Sequence, residues 1–150
     1  MLQFDPKILD LIPHREPMLL INEVLDVGLS SSSSRVFISA STPFFKEGYG
    51  VNSWIGIEYM GQTAALIAGY RLKNGSLDPH LGFLLGTRSY KVYCAYFLPG
   101  SILKVTCKEL SMVGEDFAKF ECAIHAADPQ LPEGRLLAEA NLSVYRKLLT

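Results

Sequence analysis

The residues that decide the fold are 53–75, SWIGIEYMGQTAALIAGYRLKNG, which are typical of one long helix. We predict that this helix spans about Trp54 to Leu72 and that Asn74-Gly75 ends it. Its interior contains three glycines, although glycine costs about 1 kcal/mol relative to alanine inside a helix. Glu58 is its only acidic residue. A helix this apolar is expected to be buried on most sides, and a curved sheet can wrap it.

Segments typical of β-strands lie on both sides of this helix in the chain. Two precede it, at 18–27 and 35–40, and the five serines at 30–34 predict a solvated connection between them. Four follow it, at 81–98, 102–112, 117–126 and 136–145. Turns this short join antiparallel neighbours. The order therefore predicts an α+β chain, in which one antiparallel sheet of about five to six strands wraps around the helix in the hot-dog arrangement.

Two smaller expectations concern local packing. Asp5 before Pro6 is a cap followed by a proline at the first helical position, and it predicts a short helix that Pro13 ends. In the long helix, Gly61, Ala65 and Ala68 share one side, and we expect this small side to pack against strands.

Composition limits the class of protein. A chain of 150 residues that is 49% apolar and 19% charged is expected to form one domain over 1–150. Its 14 Lys and Arg against 15 Asp and Glu give a net charge of -1, so no nucleic-acid partner is expected. Since the chain has no apolar run of about 18 residues, we expect no membrane insertion.

Cysteine usage and missing motifs narrow the chemistry. Cys94, Cys107 and Cys122 have no CxxC spacing, so we expect reduced thiols in strands rather than disulfides or a metal site. The N-terminus lacks a signal-peptide pattern, which predicts a cytoplasmic protein. The motifs GxGxxG, GxxxxGK[ST], HExxH and GxSxG are absent, so neither a cofactor nor serine-hydrolase chemistry is expected.

Two titratable residues stand out as candidates for a site. His14 lies between two prolines in PHREP, which restrict the backbone on both sides, so it has either a structural or a site role. Glu58 is flanked by apolar residues, and Gln62 lies four residues later on the same helical face. A carboxylate on a buried helix is paired, protonated or functional, and pairing with Gln62 or an arginine is the structural alternative.

Three long stretches resemble the 3-hydroxyacyl-ACP dehydratases of fatty acid synthesis: LIPHREPMLLINEVLDV at 11–27, FFKEGYGVNSWIGIEYMGQTAALIAGYR at 44–71, and FLLGTRSYKVYCAYFLPGSILKVTCKEL at 83–110. WIGIEYMGQ followed by GFLLGTRSY is most similar to one branch, the dehydratase-like subunits of aryl polyene gene clusters. The resemblance implies a hot-dog fold, acyl carrier protein thioesters as substrates, and a homodimer or a heterodimer with a paralogous dehydratase.

The resemblance implies a site around the start of the helix. Glu58 matches the family's acid and Gln62 its downstream glutamine, whereas Ser53 stands where the family has a glycine. The family's loop histidine precedes the acid by fourteen residues, and that position is Phe44 here. We therefore expect Glu58 as a catalytic residue. Ser53, Trp54, Gln62 and Phe44 are the expected substrate-binding residues.

Dehydration needs a base at C2, an acid for the departing C3 hydroxyl and a donor for the thioester oxygen. Glu58 suits the acid, and the free amides at the helix start suit the donor. By elimination, His14 is the first candidate for the base. Three alternatives stay open: a dehydratase with a displaced base, a non-catalytic or half-catalytic subunit paired with an active paralogue, and a hot-dog thioesterase that uses Glu58 to activate water.

Overall fold

The computed structural model describes residues 5–75, 80–113, 117–127 and 134–148. The helices are α1 (Pro6–Leu11) and α2 (Gly56–Lys73), and a 3-10 turn, Ser53–Ile55, leads into α2. The strands are β1 (Glu23–Val27), β2 (Ser31–Phe37), β3 (Phe45–Lys46), β4 (Gly50–Asn52), β5 (His80–Val92), β6 (Tyr96–Phe97), β7 (Ile102–Val113), β8 (Phe117–Ala126) and β9 (Leu136–Leu148).

The large sheet has six strands in the order β1-β2-β7-β8-β9-β5, and all neighbours are antiparallel. In a small sheet, β4 pairs with β3 and with β6, and β4 directly precedes the turn that leads into α2. The predicted α+β arrangement of one antiparallel sheet around a central helix is confirmed. The predicted end of the helix at Asn74-Gly75 is also correct, since Gly75 has a φ of 70°.

The serine run is not the solvated connection that its composition predicts. Ser31–Phe37 is strand β2, and Ser32 and Ser34 are buried against α2. The Ser32 hydroxyl donates to the Thr63 carbonyl at 2.6 Å, and the Ser34 and Thr63 hydroxyls are 2.7 Å apart. Alternate serines face the helix and find polar partners there, so the strand can bury them without leaving unpaired hydroxyls.

The first strand starts later than predicted. Residues 18–22 are not part of β1, which begins at Glu23, although Leu19, Leu20 and Ile21 are fully or almost fully buried. The backbone of Met18 and Leu20 is hydrogen-bonded by the Gln62 side chain, from α2, instead of by a neighbouring strand.

Burial of α2 differs from one side of the helix to another. The helix buries Met60 and Thr63 on the side of β2 and β7, where the Cys107 thiol donates to the Met60 carbonyl at 3.3 Å. Gly61, Ala65 and Ala68 lie on another side that is only partly buried. This chain's described residues therefore leave that side of the helix incompletely covered.

The two helices approach each other closely at Gly69. A Cβ built on Gly69 would lie 1.8 Å from the Leu11 carbonyl oxygen and 2.6 Å from its carbon, both backbone atoms. Only glycine permits α1 to pack this closely on α2. The contact fixes the end of α1, and therefore the residues that follow it, against the central helix.

Gly69→Ala is expected to destabilise the protein by about 1–3 kcal/mol, because the added methyl group forces α1 away from α2. The loss should appear even though alanine is the better helix former by about 1 kcal/mol. Urea unfolding followed by circular dichroism measures it. Gly28→Ala is the control, since a Cβ there would meet only the Ser31 carbonyl oxygen, at 3.9 Å. Equal stability of Gly69→Ala and the parent would show that the contact is wrongly placed.

Candidate active site

The turn that leads into α2 is fixed by the strands around it. The Asn52 side chain accepts a hydrogen bond from the Trp54 amide at 3.2 Å, and the Ser53 amide donates to the Ala95 carbonyl at 3.0 Å. The Tyr90 hydroxyl donates to the Ser53 carbonyl. Burial, with a smaller contribution from Cys94, raises the pKa of Tyr90, so this phenol stays protonated as a donor. Tyr90 carries no local sequence signal for this role.

Glu58 is half-buried on the first turns of α2. Within the described ranges, its carboxylate has no hydrogen bond or ion pair, so the predicted pairing with Gln62 or an arginine is not formed. Its helical position places it beside Ile57 and Gly61, on the incompletely covered side of the helix. The carboxylate is thus available to a substrate or to another chain.

His14 lies near Glu58 although 44 residues separate them in sequence. Burial lowers the pKa of His14 below its ordinary value of 6.5; the Glu58 carboxylate opposes this effect and the Arg15 guanidinium adds to it. Nδ1 of His14 is buried and has no hydrogen-bond partner in the part of the chain that the structure describes. The two residues that were expected to be catalytic therefore lie within electrostatic range of each other.

Arg15 holds the His14 backbone against the end of α1. Its guanidinium donates to the carbonyls of Leu9 at 3.0 Å, Ile12 at 2.9 Å and His14 at 2.8 Å. Sequence reasoning did not single out Arg15. A basic residue just after a short helix is nevertheless a recognisable signal for binding of its last carbonyls.

Gln62 is 0% exposed, and both polar atoms of its side chain bind backbone. Its Oε1 accepts from the Leu20 amide at 2.8 Å and its Nε2 donates to the Met18 carbonyl at 2.7 Å. Direct binding of substrate by Gln62 was the sequence prediction. The observed geometry favours a structural role instead, because the amide has no exposed surface for a ligand.

The other three expected substrate-binding residues differ in how much of their surface is exposed. Trp54 is 62% exposed and Phe44 is 58% exposed, whereas Ser53 is buried. Phe44 precedes β3 with a φ of 68°, a conformation uncommon for any residue but glycine. No imidazole stands at this position, so in this chain Glu58 has only His14 as a nearby histidine within the described residues.

The described residues give no sign of a metal site or a membrane span. No group of three or more His, Cys, Asp and Glu among them could hold a metal ion. No helix among them is both long and apolar enough to cross a membrane. Cys107 and Cys122 are buried in β7 and β8 as expected, but Cys94 lies between strands and is only partly buried.

Acidification is expected to weaken the fold through His14. Because the folded-state pKa of His14 lies below its ordinary value of 6.5, neutral His14 stabilises the protein above pH 6.5. This contribution is lost as the pH falls through the lower, folded-state pKa. The unfolding free energies of the parent and of His14→Gln, measured by urea titration at several pH values, should therefore converge or cross on acidification. Parallel curves would contradict the assigned direction.

Comparison with known proteins gives one family match over most of the chain. A family model described as ApeP-like, ApeP dehydratase, matches residues 6–148. The dehydratase heterocomplex ApeI:P from Xenorhabdus doucetiae contains a similar chain, at 28% identity and a TM-score of 0.79, covering 93% of this chain and 90% of that one.

More distant solved structures share the fold. They include AziG from S. sahachiroi, at 14% identity and a TM-score of 0.67 over 93% of this chain and 99% of that one. Thioesterase HI1161 from Haemophilus influenzae matches at 11% identity and a TM-score of 0.60, over 85% of this chain and 80% of that one. The predicted hot-dog fold is confirmed by these neighbours.

Proposed function

The chain belongs to the ApeP-like dehydratase family, and from this premise we propose that it is a (3R)-3-hydroxyacyl-ACP dehydratase subunit. Its substrates would be acyl groups carried on acyl carrier protein, in fatty acid or aryl polyene type biosynthesis. The reaction breaks a C–H bond at C2 and the C–O bond at C3, forms the C2–C3 double bond and releases water. One residue must therefore accept a proton and another must donate one.

The observation that carries this proposal is the family match over residues 6–148, and the electrostatic interaction between the Glu58 carboxyl group and the His14 imidazole supports it. A burial-lowered pKa keeps His14 neutral at pH 7, as a base that removes the C2 proton must be. In the proposed step, the proton for the departing hydroxyl group comes from the Glu58 carboxyl group. Afterwards the imidazolium returns its proton to the carboxylate, directly or through water, which restores both groups for the next substrate.

The start of α2 supports the third requirement, stabilisation of charge on the thioester oxygen, through its dipole, since the Ser53 and Trp54 amides predicted to be free are already hydrogen-bonded. The 3-10 turn Ser53–Ile55 leads straight into an 18-residue helix, whose amide dipoles give its N-terminus a partial positive charge. Glu58 lies in the first turn of the same helix. A thioester whose carbonyl oxygen meets this helix end would therefore present C2 and C3 close to Glu58.

We assign the second component of the active unit to a paralogous dehydratase. The similar chain from X. doucetiae is part of a dehydratase heterocomplex. In this protein the incompletely covered side of α2 carries Ile57, Gly61 and Ala65 together with Glu58, and Leu72 on the same side is exposed. A second hot-dog chain on this side would bury apolar surface and would close the site around Glu58.

The experiment is incubation of a 3-hydroxyacyl-ACP with this protein, with the paralogue, and with both, followed by mass spectrometry of the acyl chain. The expected result is loss of one water, fastest with the complex. Release of free acid and holo-ACP without loss of water would identify the thioesterase alternative. An unchanged rate when this protein is added to the paralogue would contradict a catalytic contribution.

A further inference from the structure

Residues 12–20, here termed the His14 segment, are attached to the rest of the protein by side chains rather than by a strand ladder. One attachment is local: the Arg15 guanidinium binds the Leu9, Ile12 and His14 carbonyls. The other is long-range: the Gln62 amide binds Met18 and Leu20. His14 lies at the first attachment, four residues before Met18.

The Gln62 attachment is bidentate. Its carbonyl oxygen and its amide nitrogen bind the Leu20 N–H and the Met18 C=O at 2.8 and 2.7 Å, as a neighbouring strand would. Leu20 is almost fully buried whereas Met18 is 55% exposed, so without Gln62 the Leu20 N–H would lose its partner where water has little access. The pair of bonds therefore fixes both the position and the direction of the His14 segment.

Gln62 and Glu58 belong to the same helix, four residues apart. Consecutive turns of an α-helix keep a nearly constant spacing, about 5.4 Å per turn. A segment that is bound to Gln62 is therefore held in a defined relation to the Glu58 carboxylate. The rigid helix α2 therefore relates the position of the His14 segment to that of the Glu58 carboxylate.

We propose that Gln62 is a positioning residue for the dehydration site, which holds the His14 imidazole in reach of Glu58 through the backbone of Met18 and Leu20. The inference rests on the proposed function for its catalytic meaning. The placement of His14 by Gln62 does not depend on that function and can be measured separately. The residues that act on His14 are Glu58 from α2 and Arg15 from the His14 segment itself.

The test compares Gln62→Met with Thr63→Val. Methionine has a similar volume to glutamine but cannot bind the two backbone groups. Thr63 is the next residue of the helix and is equally buried, but its hydroxyl binds Ser34 and the Tyr59 carbonyl, away from the His14 segment. Both variants lose buried hydrogen bonds, so both should be less stable than the parent.

NMR titration of the His14 ring proton gives a readout independent of activity. In Gln62→Met the pKa of His14 should rise toward its ordinary value as the segment loosens and the ring becomes solvated, whereas in Thr63→Val it should match the parent. Should Gln62→Met fail to fold, Gln62→Asn is titrated with the same expectation, since its neutral amide is one methylene shorter and does not reach both backbone groups. An unchanged His14 titration in the folded variant, or an equal change in Thr63→Val, would overturn the inference.

Kinetics with 3-hydroxyacyl-ACP then separate the two proposals. We expect Gln62→Met to lower kcat of the complex about 10-fold or more and to change KM little, because the substrate does not contact the buried amide. If the His14 titration shifts but kcat is unchanged, Gln62 does place the His14 imidazole, but this placement does not affect the reaction. That result would contradict the positioning role. If kcat is also insensitive to His14→Gln, the proposed base is wrong, not the placement.

Discussion

Glu58→Gln should lower the rate of dehydration by roughly 10²–10⁴-fold, the usual contribution of one general acid. Glutamine has nearly the same shape as glutamate but cannot transfer a proton to the departing hydroxyl group. The fold should survive, because the described residues give the Glu58 carboxylate no hydrogen bond or ion pair to lose. The measurement is the rate at which the complex with the paralogue converts 3-hydroxyacyl-ACP, with the variant's thermal unfolding recorded in parallel.

A matched control for this change is Glu121→Gln. Glu121 is exposed on β8, so the same chemical change there should alter neither rate nor stability. Loss of folding in Glu58→Gln would identify Glu58 as a structural residue. A properly folded Glu58→Gln with the rate of the parent would assign the acid to another residue or to the partner chain.

His14→Gln is expected to produce a loss of similar size, roughly 10²–10⁴-fold, because the variant lacks the base for the C2 proton. The position of the segment should be kept, since Arg15 and Gln62 bind backbone atoms of this segment rather than the imidazole. In the parent, the rate should fall on the acid side as His14 becomes protonated. Because burial lowers the pKa of His14, this fall should begin below pH 6.5.

His125→Gln is the control for loss of a histidine. His125 lies on β8 and pairs in register with Lys104, and it is not among the groups that affect the pKa of His14. Its replacement should leave the rate unchanged. Full activity in His14→Gln, within a complex that still requires Glu58, would indicate that the partner chain supplies the base.

The sequence could predict the elements that depend on local pattern. The long helix follows from its apolar composition and its Asn74-Gly75 end, and β8 follows from alternation with the predicted limits of 117–126. The serine run misled because its hydroxyls are satisfied by Thr63, on an element that follows about thirty residues later in the chain. A polar run indicates a loop only when no distant residue hydrogen-bonds its side chains.

The candidate site could be predicted in its residues but not in its geometry. Glu58 and His14 were identifiable from the family resemblance and from elimination among the histidines. Their proximity depends on long-range contacts: Gln62 with Met18 and Leu20, and Gly69 with Leu11. No local pattern encodes those contacts, because each joins residues more than forty positions apart.

The most direct test of the account is the single-turnover rate of water loss from a 3-hydroxyacyl-ACP bound to the complex, with parent and with Glu58→Gln subunits of this protein. We expect water loss with the parent and a rate roughly 10²–10⁴-fold lower with the variant, at equal complex formation. Equal rates for the two complexes would contradict the claim that this chain contributes the acid of the dehydration site.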